Sequence, residues 1–196
     1  MCIRDSGTIK QVNPFTGTKV WTVPGRGARP LGKPAEQTRE LADHDRRAAC
    51  VFCPDNYLST PPEKTRLVKR AGGLVRGHDL IRCVPADRLD ATVPEFRRVP
   101  NLFEILSWRY WQLNWGMSLP RAARDWQEEY LSNPSGEAHV RSVLNAKFKA
   151  VGSDRRAEDL GPQELREASA AFFAGGHDVI VARRHYTDEG LSLIHI

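Results

Sequence analysis

The chain has 196 residues, a formal net charge of +5 at pH 7, 40% hydrophobic residues and 27% charged residues. Such a chain is predicted to form one soluble globular domain or a large part of one. No apolar run is long enough for a membrane span, so nothing in the sequence indicates membrane insertion. The modest positive charge suits a phosphate-bearing ligand but is too small and too dispersed to indicate nucleic-acid binding by itself.

The two ends of the chain, MCIRDS and LSLIHI, fit nothing that lies between them. The tail back-translates to CTGTCTCTTATACACATC. The reverse complement of that DNA, read one base in, encodes MCIRD and begins a serine codon. One DNA element read on both strands therefore explains both ends, and it resembles a transposon end from sequencing-library preparation. We predict that residues 1–6 and 191–196 are adapter-derived and that residues 7–190 are an internal piece of a longer protein.

The first half of the chain has the pattern of strands and turns. Thr8–Val12 and Thr18–Val23 are rich in β-forming residues and flank NPFTG, which predicts a hairpin. The next stretch, PGRGARPLGKP, is predicted to be a loop, because its glycines and prolines exclude helix and strand interiors. Leu67–Cys83 predicts two short strands around AGG, and Glu95–Val99 predicts another strand before PNLFEILSW and the aromatic stretch WRYWQLNW.

Helices are predicted in the second half. Three stretches have apolar residues spaced by three and four: Pro120–Leu131, Glu137–Ala150 and Gly161–Phe173. Ser135 is the predicted cap of the second helix. Val179–Ala182 predicts a short strand after the third. Strands before and after a helical region indicate an α+β fold with a largely antiparallel sheet and a helical insertion at about residues 120–176.

The pair Cys50-x-x-Cys53 places two thiolates within reach of one zinc ion, although no second such pair supplies the remaining ligands. Two other interpretations stay open: a thioredoxin-like redox pair, which Pro54 fits badly, and two buried small hydrophobes. Cys83 is isolated, and we predict that it lies in the core. Because Cys2 belongs to the adapter-derived end, an odd number of cysteines remains, which disfavours disulfides and indicates a reducing, cytoplasmic compartment.

Histidines are the natural candidates for further zinc ligands. His177 and His185 flank the Val179–Ala182 strand, and a histidine just past a strand end, such as His185, can turn back onto a metal. Each of these histidines is equally compatible with a hydrogen-bonded, purely structural residue. His139 falls inside a predicted helix, where we expect a packing or surface role.

Four motif-like pieces follow one another along the chain: NPFTGTKVWTVPGRGARP, CVFCPDN, VPNLFEIL and HDVIVARRHY. This order resembles the N-terminal half of galactose-1-phosphate uridylyltransferase and its relatives in the histidine-triad superfamily, and it is most similar to an uncharacterised actinobacterial-type branch. The resemblance implies a histidine-triad-like antiparallel sheet. It also implies that the two arginines of the Arg-x-x-Arg-Pro loop and the cysteines of the Cys-x-x-Cys-Pro-x-Asn knuckle have functional roles.

The resemblance implies that Cys50, Cys53 and His185 bind a structural zinc ion, with a fourth ligand expected beyond this piece of the protein. It also implies that Arg26 and Arg29 contact the nucleotide diphosphate, for which the forked guanidinium group is suited. On the residues alone, both arginines are equally compatible with a solvated loop.

Asn101 and Leu102 correspond by resemblance to the element that holds the base and ribose. The chain departs from the family at Gly25, where histidine is common, at Leu31, where tryptophan is common, and at Leu102, where an acidic residue is common. These departures leave base and sugar specificity open. The family's catalytic His-x-His-x-Gln segment lies downstream of the third zinc ligand and does not occur in this chain.

The resemblance implies that the full-length protein moves a nucleotide between a UDP-hexose type nucleotide-sugar and a sugar 1-phosphate through a nucleotidyl-histidine. This piece alone is then expected to be inactive. The expected partners are nucleotide-sugars and sugar phosphates, with no membrane or nucleic acid, and a homodimer is compatible with the resemblance. Two alternatives remain. One is a dinucleotide phosphorylase or hydrolase of the same superfamily. The other is a non-catalytic, zinc-stabilised module for nucleotides or nucleic acid, suggested by Arg97, Arg98, Arg183 and Arg184.

Overall fold

A computed structural model describes residues 9–22, 50–70, 77–104 and 106–183 of the chain. Their contacts divide them into two units, which we describe separately. The described residues of 9–22 and 103–118 form the first unit, and those of 50–102 and 119–183 form the second. Helices and antiparallel sheets are both present, so the α+β prediction is confirmed at this level.

The first unit contains the predicted hairpin. Strand β1 (Ile9–Val12) pairs antiparallel with β2 (Lys19–Thr22). The Asn13 carboxamide oxygen accepts hydrogen bonds from two backbone N–H groups of the turn, at 2.9 and 3.2 Å. Gly17 has a φ of +69°, which a residue without a Cβ adopts readily. The local turn chemistry therefore produces this hairpin, as the sequence predicts.

The aromatic stretch after the predicted strand Glu95–Val99 is a helix, α1 (Trp108–Trp115). The Ser107 hydroxyl accepts a hydrogen bond from the backbone N–H of Tyr110 at 3.2 Å, which caps the first turn. Gly116 ends the helix in the left-handed conformation, with a φ of +61°.

The second unit contains a four-stranded antiparallel sheet of β3 (Thr65–Lys69), β4 (His78–Arg82), β5 (Pro94–Pro100) and β6 (Asp178–Ala182). The strand order is β4-β3-β5-β6, so β3 and β5 are central. One face of the central strands is buried and the other is partly exposed, in keeping with the two-residue period of a strand.

Three helices follow β5 and α1 along the chain: α2 (Arg121–Ser132), α3 (Pro134–Ala150) and α4 (Pro162–Phe173). Their apolar faces and two residues of the connection between α3 and α4 form the main core of the second unit. The helices supply Trp126, Tyr130, Val140, Val143, Leu144, Leu165, Phe172 and Phe173, and the connection supplies Ala157 and Leu160. The three predicted helices are thus confirmed. Among the described residues, no helix has the length and apolar character to cross a membrane.

The predicted cap of α3 is wrong by two residues. The helix begins at Pro134, and the Asn133 side-chain oxygen accepts a hydrogen bond from the Ser135 N–H at 3.0 Å. Proline is favoured in the first turn because it has no N–H to satisfy and its φ already suits a helix. Asn133, and not Ser135, is therefore the cap.

The prediction that Cys83 lies in the core is also wrong, because the residue is exposed. Strand alternation puts Ile81 toward the interior and would put Cys83 there too. The chain instead leaves the sheet after β4 with Cys83 at a φ of +52°, in the left-handed region. This turn carries the thiol away from the core.

Candidate functional site

The two cysteines of the knuckle are held in one tight turn. The Cys53 N–H donates to the Cys50 carbonyl oxygen at 3.1 Å, and the Asn56 N–H donates to the Cys53 carbonyl oxygen at 2.9 Å. The Asn56 carboxamide also donates to the Cys50 carbonyl oxygen, at 2.9 Å. Asn56 thus closes the turn with its side chain, which is a structural role.

The donor chemistry of this turn fits a structural zinc ion. Cys53 is 1% exposed and Cys50 is partly buried, and neither forms a disulfide within the described residues. Two thiolates from one turn are half of a closed tetrahedral set. The part of the chain that the structure describes contains no group of three or more candidate ligands, and the proposed third ligand, His185, lies outside that part.

The element after Cys53 disfavours the redox interpretation. A reactive Cys-x-x-Cys pair gains its low thiol pKa from the N-terminus of an α-helix. Here Pro54–Ser59 is a 3₁₀ helix of 6 residues, with a non-helical backbone at Asn56. Such a short, interrupted element supplies little dipole field, because the macrodipole arises from aligned peptide units.

A cavity of about 250 Å³ adjoins the knuckle. One side of its wall comes from the knuckle and the 3₁₀ helix, through Phe52, Pro54, Asp55 and Tyr57. The rest comes from β5 with the residue before it and from the end of β6, through Val93, Pro94, Arg97, Val181, Ala182 and Arg183. The end of β6 therefore lies near the knuckle. His185 comes two residues after Arg183, a span of about 7 Å in an extended chain.

A buried ionic cluster lies behind this cavity, and we call Glu63, Arg66 and Arg97 the Glu63 cluster. One Glu63 carboxylate oxygen accepts from Arg66 Nε at 2.6 Å, and the other accepts from Arg66 Nη2 at 3.1 Å and Arg97 Nε at 2.5 Å. The side chains of Glu63 and Arg66 are 0% exposed and that of Arg97 is 3% exposed. The guanidinium group of Arg97 lies over the Tyr57 ring, and Arg97 Cζ is 4.0 Å from the ring centroid.

The Glu63 cluster is connected to α3 through hydrogen bonds. Arg97 Nη2 donates to Thr60 Oγ1 at 3.1 Å, and His139 Nε2 lies 2.8 Å from the Thr60 carbonyl oxygen. Because a carbonyl oxygen only accepts, Nε2 is the protonated nitrogen of His139. Nδ1 then accepts from the Tyr130 hydroxyl at 2.7 Å. His139 therefore has the packing role expected of it.

Burial determines the ionisation of His139 and Tyr130. Desolvation lowers the pKa of His139, and the nearby Arg97 lowers that pKa further. Desolvation also raises the pKa of the Tyr130 hydroxyl. Both side chains are therefore neutral at physiological pH, which is the state that their two hydrogen bonds require.

The basic surface suggested by the sequence is not found where it was expected. Arg97 is buried in the Glu63 cluster. Arg98 pairs with Asp178 at 2.6 Å, and Arg183 pairs with Glu95 at 3.0 Å. These ion pairs neutralise the positions that favoured a nucleic-acid module. Arg184 lies outside the described residues.

The two residues expected to hold the base lie at the other end of β5. The Asn101 N–H donates to the His177 carbonyl oxygen at 3.0 Å, and Leu102 packs against the helical core. Asn101 follows Arg97 by four residues, about 13 Å along an extended strand. The structure thus separates these two residues from the knuckle, and packing accounts for Leu102. Their nucleotide role stays a prediction.

The remaining predicted site residues are outside the described part of the chain. Arg26 and Arg29 of the Arg-x-x-Arg-Pro loop and His185 all fall there, as do the departures at Gly25 and Leu31.

Sequence reasoning missed Glu63, which is the centre of the ionic cluster. Its only local signal is Arg66 three residues later, since Arg97 lies 34 positions away.

Comparison with known proteins gives one match. Residues 4–192 match the model of a family described as a domain of unknown function, DUF4921. The comparison with curated proteins and the comparison with solved structures give no significant match.

Proposed function

From the premise that the chain belongs to the DUF4921 family, we propose that it forms the zinc-knuckle and nucleotide-binding part of a histidine-triad-like nucleotidyltransferase. The whole enzyme moves a nucleotide between a UDP-hexose type nucleotide-sugar and a sugar 1-phosphate. The order of the four sequence pieces and the antiparallel sheet in which two of them lie both support this proposal.

One observation carries the proposal. The walls of a single cavity contain both Phe52, which lies between the two knuckle cysteines, and Arg183, which lies two residues before His185. Residues that are about 130 positions apart in the sequence are thereby brought together beside the cysteine knuckle. This convergence is what a shared metal site requires, whereas two unrelated structural cysteines do not require it.

Cys50, Cys53 and His185 would hold the zinc ion. Bound zinc supplies a structural cross-link between the knuckle and the segment after β6. Residues of this chain hold the knuckle in shape, because the Asn56 side chain closes the turn and Cys53 is buried. We assign to Arg26 and Arg29 the neutralisation of the diphosphate, since paired guanidinium groups bind phosphate oxygens through two parallel hydrogen bonds.

The transfer itself needs a nucleophilic histidine, which we place in the protein sequence that follows this piece. Its imidazole nitrogen attacks the α-phosphorus, the bond to the leaving phosphate oxygen breaks, and sugar 1-phosphate departs. A phosphate oxygen of the acceptor sugar 1-phosphate then attacks the same phosphorus and releases the histidine. The arginines stabilise the negative charge that develops on the phosphate oxygens.

The test uses UDP-glucose with a radioactive α-phosphate and follows the protein or product to which the label is transferred. A protein extended past residue 190 with its native downstream sequence should acquire covalent label, and the present chain should not. Label that passes to sugar 1-phosphate supports the transferase, while label that passes only to phosphate or water identifies the phosphorylase or hydrolase alternative. An extended protein that acquires no label and turns over no nucleotide-sugar contradicts the proposal.

The binding half can be tested on the present chain by calorimetric titration with UDP. Replacement of Arg26 and Arg29 by alanine should weaken binding at least about tenfold, as expected for charge-assisted hydrogen bonds. Arg121→Ala is the matched control, because Arg121 is 91% exposed and its carboxylate partner, Asp125, is 3.7 Å away. Equal affinities in the double variant and the control would contradict the role of the loop arginines.

A further inference from the structure

The Glu63 cluster has one more positive charge than negative charge. It contains two guanidinium groups and one carboxylate, and all three side chains are at least nine-tenths buried. A buried charge is costly unless a group of opposite charge accompanies it. The nearest further carboxylate in the cavity wall is that of Asp55, which is exposed to solvent. The cluster therefore favours an anion next to Arg97, the member of the cluster that lines the cavity.

The two arginines of the cluster differ in how completely they are hydrogen-bonded. Arg66 uses all three nitrogens, because Nη1 donates to the Leu89 carbonyl oxygen at 2.7 Å and to Thr92, and Nε and Nη2 donate to Glu63. Arg97 uses Nε and Nη2, but its buried Nη1 makes no hydrogen bond within the described part of the chain. The unused donor belongs to the arginine that lines the cavity.

The remainder of the cavity wall suits a flat apolar body. Phe52 and Tyr57 supply aromatic side chains, Val93 and Val181 supply aliphatic ones, and Arg183 is half-exposed. A cavity of about 150 Å³ is enough for benzene. The volume of about 250 Å³ found here therefore has room for a six-membered ring and one anionic group.

We propose that this cavity binds a small ligand with a planar, apolar body and a single anionic head, which pairs with Arg97. The proposal rests on the residues of the cavity wall and not on the proposed zinc ligands or on transfer chemistry. Because Nη1 is covered in the ligand-free cavity, the side chains of the wall must shift slightly for the head to reach it. We therefore expect weak binding of a minimal probe.

Phenyl phosphate is the probe, titrated into the full 196-residue chain and followed by NMR, with phenol and inorganic phosphate as the two half-ligands. We expect a Kd on the order of 1 mM for phenyl phosphate, from the binding energy typical of so few atoms. Each half-ligand should bind at least tenfold more weakly. Equal binding of phenol would contradict the role of Arg97. Equal binding of inorganic phosphate would mean an adventitious ion only and would also overturn the proposal.

Val93→Trp fills the cavity without changing any charge, and it should weaken phenyl phosphate binding at least tenfold. Val151→Trp is its matched control, because the two valines are 62% and 63% exposed and Val151 lies at the end of α3. The control should stay within twofold of the unchanged chain. Equal affinities in the two tryptophan variants would overturn the proposal.

Two charge variants test the head group separately. Asp55→Asn removes the carboxylate of the wall and should tighten phenyl phosphate binding by about two- to threefold through reduced repulsion. Arg183→Gln removes the rim cation and should weaken binding by a similar factor. Changes of the opposite sign would contradict an anionic ligand. Both variants leave the Glu63 cluster intact, so their folding is not at risk from it.

Discussion

The neutralisation of Glu63 should be among the most destabilising single changes in this protein. Glu63→Gln keeps the shape of the side chain, but it removes the charge between Arg66 and Arg97 and turns an amide group toward guanidinium donors. Two buried guanidinium groups are then left without a counter-charge. Removal of one partner from a buried ion pair costs about 3–5 kcal/mol. In a protein of this size, that loss lowers the melting temperature by roughly 6–20 °C.

The assay is urea unfolding at pH 7.5, with the free energy of unfolding compared between Glu63→Gln and Glu95→Gln. The control removes the same charge from another carboxylate with two cationic neighbours, Lys69 at 3.6 Å and Arg183 at 3.0 Å. The cationic partners of Glu95 are largely exposed, so solvent screens these pairs and the loss of stability should be much smaller than for Glu63→Gln. If both variants lose the same stability, the buried cluster has no special role and the reasoning is refuted.

Three further predictions concern the helical part of the second unit. In Gly136→Ala the new Cβ would collide with the Tyr130 carbonyl oxygen, so thermal unfolding should show a loss of stability of at least about 2 kcal/mol. Gly175→Ala is the control and should lose little stability, because the space around Gly175 is open. Burial holds the pKa of His139 below its ordinary value of 6.5, so the free energy of unfolding should fall as the pH drops below 6.5 and level off below the folded-state pKa. Urea titrations at pH 7.5 and 5.5 should show a smaller difference in unfolding free energy for His139→Gln than for the unchanged chain. An equal difference in the two proteins would contradict this. Asn133→Ala removes the cap of α3 and should cost about 1 kcal/mol in the same titration, with Ser135→Ala costing clearly less.

Local patterns in the sequence predicted most of the elements. The hairpin follows from the turn chemistry of Asn13 and Gly17, and the three long helices follow from apolar spacing with breakers between them. Both kinds of signal lie within a few residues of the structure they specify, so a single sequence contains them. The closing role of Asn56 in the knuckle is predictable for the same reason.

Features that depend on distant contacts were mispredicted or missed. Arg97 was one of the four arginines that suggested the alternative nucleic-acid module. Its partner Glu63 is 34 positions away, and only the pairing of β3 with β5 brings the two together. Cys83 was predicted to lie in the core as an isolated cysteine, but the backbone turns left-handed there and leaves the residue exposed. No local pattern reveals either event.

The candidate site divides in the same way. The cysteine pair is visible in the sequence, and its tight turn is confirmed. The cavity that joins the knuckle to the end of β6 is not visible, because it depends on the strand order β3-β5-β6. The separation of Asn101 from the knuckle likewise follows from the direction of β5 and not from any motif.

The most direct test of the account is the zinc content of the purified chain, measured by atomic spectroscopy after dialysis against a weak chelator. Cys50→Ser, Cys53→Ser and His185→Ala should each lose the metal, while Cys83→Ser should keep it, because Cys83 is exposed at a separate turn. About one zinc per chain that depends on all three predicted ligands would support the knuckle and the segment after β6 as one site. Zinc content that is negligible in a protein extended past residue 190, where the fourth ligand is expected, or that is unaffected by the Cys50 and Cys53 variants, would contradict the proposed metal site.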